Sequence, residues 1–268
     1  MPSVNTSRPS DRRAVVITVV IALLLPAACP GQSPYTRSWE RDGPVAVATL
    51  SLGLGAWLVH DDLTRLTPEE VAAVSRADVN PLDRAATRLF SNADAVASDW
   101  LLYSLIAAPL AMLADREVRD DWQTFLLMYA ETLALNGGAG QFVKGVTQRT
   151  RPYVYNPAVP MEMKTTPNAR KSFYSSHTSF AFSSAVFLTT TLSGYVGDAR
   201  YVPYTVGAAF LGAAAVGILR YTSGRHFPTD ILVGALVGSL VGWSIPAIHR
   251  SPAEPSGPSL GVTIALPL

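Results

Sequence analysis

Three short polar blocks hold most of the chemistry this chain can offer: residues 144–152, 172–177 and 220–230. The first places Lys144 and Arg151 seven positions apart, a compact ammonium and a planar fork that suits bidentate contact with phosphate oxygens. The second, Ser-Phe-Tyr-Ser-Ser-His, offers hydroxyls, backbone N–H groups and the imidazole of His177 just ahead of a long apolar run. A helix starting there would point its positive dipole end at an anion. The third brings Arg220, His226 and, four residues on, Asp230, the kind of carboxylate that can orient a histidine acting as nucleophile or base.

Taken singly, each block also fits a plain role. Lys and Arg in a loop make a solvated face, a histidine beside serines opens a helix, and Pro228 with Asp230 is an ordinary helix start. Their joint order, with every block at the polar edge of an apolar helix, favours an oxyanion site over three unrelated features.

The blocks resemble the three signature motifs of the type 2 phosphatidic acid phosphatase superfamily, which includes bacterial class A acid phosphatases and vanadium haloperoxidases. Lys144, Arg151 and Pro152 meet the first motif, Lys, six residues, Arg-Pro. Tyr174, Ser175, Ser176 and His177 align with Pro-Ser-Gly-His and depart from it at Tyr174 and Ser176. Arg220, His226 and Asp230 meet the third, with Leu219 where a serine usually stands. The likeness spans roughly residues 126–248, and the first hundred residues hold no assignable motif. A serine in place of glycine narrows the backbone leading into His177, yet still presents an N–H, so retained chemistry with altered substrate preference is expected.

What the resemblance implies is a two-step phosphoryl transfer. His226 attacks phosphorus, Asp230 orients it, and His177 protonates the leaving oxygen, while Lys144, Arg151, Ser175, Ser176 and Arg220 hold the phosphate. Such transfer depends mainly on positioning and charge. No cofactor and no metal is expected, since no carboxylate, Cys or His cluster stands at ligand spacing near the blocks.

The 268 residues are 49% hydrophobic and 15% charged, an apolar bias that leans towards a bilayer. A net charge of +1, with no basic stretch interleaved with aromatics, argues against a nucleic-acid partner. Residues 1–30 read as a signal peptide or membrane anchor: Arg8, Arg12 and Arg13 precede the apolar run 14–25 and the small residues before Cys29. Cys29, the only cysteine, forms no intrachain disulfide, and its place after two alanines leaves lipidation open beside simple cleavage.

Six apolar segments follow, at 45–59, 100–114, 122–135, 178–196, 202–219 and 231–248, and all read as helices. The expected fold is all-α, a bundle of about six core helices embedded in a membrane, with the site at one end. Its parts would be an apolar helix and polar helical cover at 31–99, the phosphatase bundle at 100–250, and a tail at 251–268 whose last residues, 261–268, could form a short strand. In an up-and-down bundle the three blocks share one end. The glycines 234, 238 and 242 make a smooth stripe for a close neighbour, and residues 137–140 read as tight packing or a helix end. Glu131 stands out as a carboxylate in an apolar helix, explained by function or by packing. Thr67-Pro68-Glu69-Glu70 is a helix start, Asn80-Pro81 a turn, and 153–171 a long loop suited to a lid.

An apolar bundle with a charged mouth suits a phosphorylated lipid or polyprenyl substrate at the membrane, with the site on the periplasmic side of a bacterial envelope. Three alternatives remain open: a soluble periplasmic acid phosphatase acting on small phosphoesters, a lipid-binding or transport protein without catalysis, and a vanadate-dependent haloperoxidase.

Overall fold

The computed structural model describes residues 33–60, 65–197 and 199–251. The leader with Cys29, residues 61–64 of the cover and the tail 252–268 with its expected strand lie outside the described residues.

The described residues form an all-helical fold with six long helices: α1 Trp39–His60, α2 Asn92–Ala107, α3 Trp122–Thr147, α4 Ser176–Tyr195, α5 Val202–Thr222 and α6 Pro228–His249. Among the described residues, four stretches are long and apolar enough to cross a membrane: Trp39–Val59, Asn92–Ala114, Val202–Thr222 and Pro228–His249. They expose large apolar side chains such as Leu50, Leu54, Trp57, Trp100, Leu211, Leu236 and Trp243, as helices facing lipid would. These four helices fit a membrane protein.

α4 occupies the centre, packed against α6, α5, α3 and α2, while α1 lies along α3. Its composition explains why it fails as a free-standing span. Ser183, Ser184 and Thr191 are fully buried, a burial possible because hydroxyls satisfy themselves on the preceding turn. Ser183 donates to Phe180 O at 3.1 Å and Thr191 to Phe187 O at 2.8 Å. Asn136 of α3 accepts from Ser179 at 2.6 Å. Around these groups Phe125, Met128, Phe187, Ala213 and Val216 form the apolar core.

The glycine stripe of α6 meets backbone. A Cβ on Gly234, Gly238 or Gly242 would sit 2.6, 2.1 or 2.4 Å from the carbonyls of Ser175, Ser179 and Ser183, so two four-residue repeats run in register along α4 and α6. Only residues without a side chain allow this approach.

Two boundaries differ from expectation. α3 does not end before the glycines at 137–140 but runs on to Thr147, so Lys144 belongs to its last turn rather than to a following loop. Gly138 faces Leu52 and Gly53 of α1, and Gly140 faces Ser176, so tertiary contact outweighs weak helix propensity there. α2 starts at Asn92, with Ser91 as cap accepting from Asp94 N, which moves Asp99 from the cover onto the bundle. Asp94 in the first turn interrupts the apolar run yet favours a helix start.

The stretch between α1 and α2 holds short helices at Pro68–Ala73, Arg76–Asp78 and Arg84–Arg88. Thr67 and Glu70 make a reciprocal capping box at the short helix Pro68–Ala73. Leu66 and Val71 pack with Tyr153, Val154, Val159 and Ala169 from the 153–171 segment. Arg170 bonds Glu70 at 2.9 Å, joining the two stretches into one roof.

Candidate active site

One end of the bundle gathers the last turns of α3 and α5 with the first half of α2 and the first turns of α4 and α6. This places Lys144, Arg220, Asp99, His177 and Asp230 together, with His226 on the short α5–α6 connection. Arg151, Arg220, Lys144 and His177 all act electrostatically on His226, so the expected residues do converge.

His226 is 1% exposed, and its Nδ1 lies 2.7 Å from the backbone carbonyl of Ser172. A carbonyl only accepts, so Nδ1 carries the hydrogen and Nε2 of the neutral ring keeps its lone pair. Burial, reinforced by Arg151, Arg220, Lys144 and His177, holds this imidazole well below the usual histidine range. The ring is therefore neutral near pH 7, as a nucleophile requires.

Asp230 sits one step further from the ring than the motif alone implies, with Oδ2 3.7 Å from His226 Nδ1. Its carboxylate accepts from Ser172 Oγ at 2.5 Å and from Phe227 N at 2.9 Å. Asp230 thus caps α6 and fixes both the residue whose carbonyl orients His226 and the backbone beside it.

Ser175 caps α4, its hydroxyl accepting from Thr178 N at 3.3 Å while its own N–H donates to Asp230 O at 3.0 Å. The first amides of α4, at Ser176 and His177, have no intrahelical acceptor. Ser176 is helical, and Gln148 is the only described non-glycine residue with positive φ, so the usual glycine at 176 is not needed for its backbone freedom. Lys144 Nζ donates to Ser176 Oγ.

Arg151 is fixed by Asn168, which accepts from Nε at 2.9 Å and from Nη2 at 3.0 Å, and by Arg225 O at 3.3 Å from Nη1. A guanidinium has five donors, so about two remain for a ligand. Burial pulls its pKa down to about 10, still charged at neutral pH. Arg220 donates through Nη1 to Ser98 at 3.2 Å, while its buried Nε has no hydrogen-bond partner among the described residues.

Sequence reasoning missed three residues. Asp99 Oδ1 lies 2.7 Å from His177 Nε2 and 3.4 Å from Arg220 Nη1. Arg149 bridges Asp230 and Asp83, with its Nη2 2.7 Å from Asp83, and stacks over Phe227 at 4.2 Å. Asp83, fully buried, also accepts from Thr229 N at 3.0 Å and Asn80 Nδ2 at 2.7 Å. Burial alone would raise this carboxyl, but donors from Thr229, Arg149 and Asn80 hold it below the usual carboxylate range. Arg149 lies inside the first block, where its type was the one available signal. Asp83 and Asp99 lie in a stretch without pattern.

Residues 125–252 match the family model described as the PAP2 superfamily. The match spans α3 to α6 and supports that superfamily for this part of the chain. The match supports phosphatase activity in general. No curated protein and no solved structure matches the chain significantly.

Proposed function

We propose that this protein hydrolyses the phosphomonoester or diphosphate of a membrane lipid or polyprenyl carrier, on the periplasmic side of a bacterial envelope, through a phosphohistidine on His226. The observation that carries the reading is the neutral, buried His226, pinned at Nδ1 and ringed by Lys144, Arg151 and Arg220.

The two steps balance. The Nε2 lone pair of His226 forms a bond to phosphorus, the bond from phosphorus to the leaving oxygen breaks, and His177 gives that oxygen a proton. Water, deprotonated by His177, then attacks the phosphohistidine and releases inorganic phosphate. Lys144, Arg151 and Arg220 offset the charge on the equatorial oxygens, with the first amides of α4 as further donors. Ser175 and Ser176 act by setting that helix start. Asp99 opposes the burial and the Arg220 charge that pull the His177 ring below the usual histidine range. Asp230, through Ser172, keeps Nε2 aimed at phosphorus.

The lipid class rests on the lipid-like faces of the four apolar helices and on a groove of about 430 Å³ beside α2 and α3. Tyr103, Ile106, Leu110, Leu126, Tyr129 and Leu133 are among its lining residues. Tyr103 stands one helical turn along α2 from Asp99, and a wholly apolar lining of this kind suits an acyl or prenyl tail.

Phosphate release from phosphatidic acid, phosphatidylglycerol phosphate and undecaprenyl diphosphate, with chelator and with vanadate, tests the proposal. Chelator-resistant, vanadate-inhibited turnover of a lipid phosphate is expected. Magnesium dependence would contradict the mechanism, and turnover confined to small soluble phosphoesters would contradict the substrate class.

A further inference from the structure

We propose that Asp42, Glu131 and His249 bind one first-row divalent cation of the zinc or manganese kind, at the end of the bundle opposite the phosphate site. The three side chains come from α1, α3 and α6, and their ligand atoms all lie within 4.8 Å of one another.

His249 is fully buried, and its Nδ1 lies 2.8 Å from the carbonyl of Ile245. Nδ1 therefore carries the hydrogen, and Nε2 faces the two carboxylates, 2.7 Å from Asp42 Oδ1 and 3.4 Å from Glu131 Oε2. A backbone carbonyl on the far nitrogen is the usual support of a metal-bound histidine. Ligands about 2.0–2.2 Å from a common ion stand roughly 3–3.4 Å apart, a spacing that His249 Nε2 and Glu131 Oε2 already have at 3.4 Å.

Two further facts favour a cation. Glu131 Oε2 is buried without a hydrogen-bond partner, a costly state for a carboxylate oxygen. Charge also fails to balance, since two carboxylates against one imidazolium leave a net negative charge, whereas a divalent ion with a neutral imidazole leaves none. Arg41, the neighbouring cation, directs its Nη1 to Thr36 and to the carbonyls of His249 and Arg250. Mixed nitrogen and oxygen donors without sulfur suit zinc or manganese better than calcium or magnesium, which favour oxygen alone.

The place on α6 excludes a catalytic role. Asp230 opens that helix and His249 closes it, roughly 28 Å away at the α-helical rise. The ion would clamp the start of α1 and the end of α6 to the body of α3, leaving the phosphoryl-transfer site untouched.

The test uses untagged full-length protein in detergent, stripped with chelator and titrated separately with Zn²⁺ and Mn²⁺ by calorimetry, with melting followed in parallel. One equivalent of ion should bind, raise Tm by about 5 °C or more at a hundredfold excess over Kd, and bind about tenfold or more weakly in Glu131→Gln and His249→Ala. Glu131→Gln, which stays clear of the catalytic groups, should keep wild-type turnover and so report on folding. Lack of saturable binding by the wild type, or undiminished binding in an active Glu131→Gln protein, overturns the proposal.

Discussion

Asp99 Oδ1 lies 2.7 Å from His177 Nε2, joining a residue of α2 to the histidine that opens α4. Burial and the Arg220 charge pull the His177 ring below the usual histidine range, and the Asp99 carboxylate works against them. Asp99→Asn should therefore lower kcat and move the alkaline limb of the pH–rate profile to lower pH, because His177 then loses its proton sooner. Profiles of kcat/KM for the two proteins check this, and an unmoved limb would remove Asp99 from the account.

Arg149 is 27% exposed in its side chain, while its partners Asp83 and Asp230 are 0% exposed, so its loss strands two buried carboxylates. Arg149→Met is expected to cost about 3 kcal/mol of stability and to lower kcat through the displaced Asp230. Adding Asp83→Asn should recover part of the stability, a coupling that a double-mutant cycle by denaturant unfolding measures. Strictly additive effects would show that the bridge does not operate.

Gly234 and Gly242 touch equivalent carbonyls of α4, but only the first lies against Ser175, the cap beside the phosphate site. Both Gly→Ala variants should lose about 1–3 kcal/mol by overpacking. Gly234→Ala alone should also depress kcat in protein that remains folded. Thermal melts and kinetics on the same samples separate the two effects.

The contrast between these residues shows what the sequence could reveal. Lys144, Arg151, His177, Arg220, His226 and Asp230 were legible because charged groups at the ends of apolar helices are rare enough to form a pattern, and the 234–238–242 stripe because small residues four apart mark one helix face. Asp83 and Asp99 were not, since a lone aspartate in polar surroundings gains meaning only from the residue across from it. The boundary of α3 was misplaced for the same reason: Gly138 weakens a helix in isolation, and the α1 backbone that makes it welcome lies more than eighty residues earlier in the chain. The support of His226 by the Ser172 carbonyl has no side-chain signature at all.

A histidine held below its usual range becomes nucleophilic at lower pH. The His226 shift is downward, so the ring is neutral above a pKa lying under the ordinary value of about 6.5. The acid limb of kcat/KM should have its midpoint below that value, and replacing Arg151 with methionine should move it up as one neighbouring cation is lost. A wild-type midpoint at or above 6.5 would contradict the neutral-nucleophile reading.

The most direct measurement compares phosphate release from a lipid phosphate by wild-type and His226→Ala protein in the presence of chelator. The wild type should turn over, and the variant should fall by at least about a thousandfold while still binding inorganic phosphate through Lys144, Arg151 and Arg220. Turnover retained by a purified, folded His226→Ala protein would contradict the phosphohistidine mechanism.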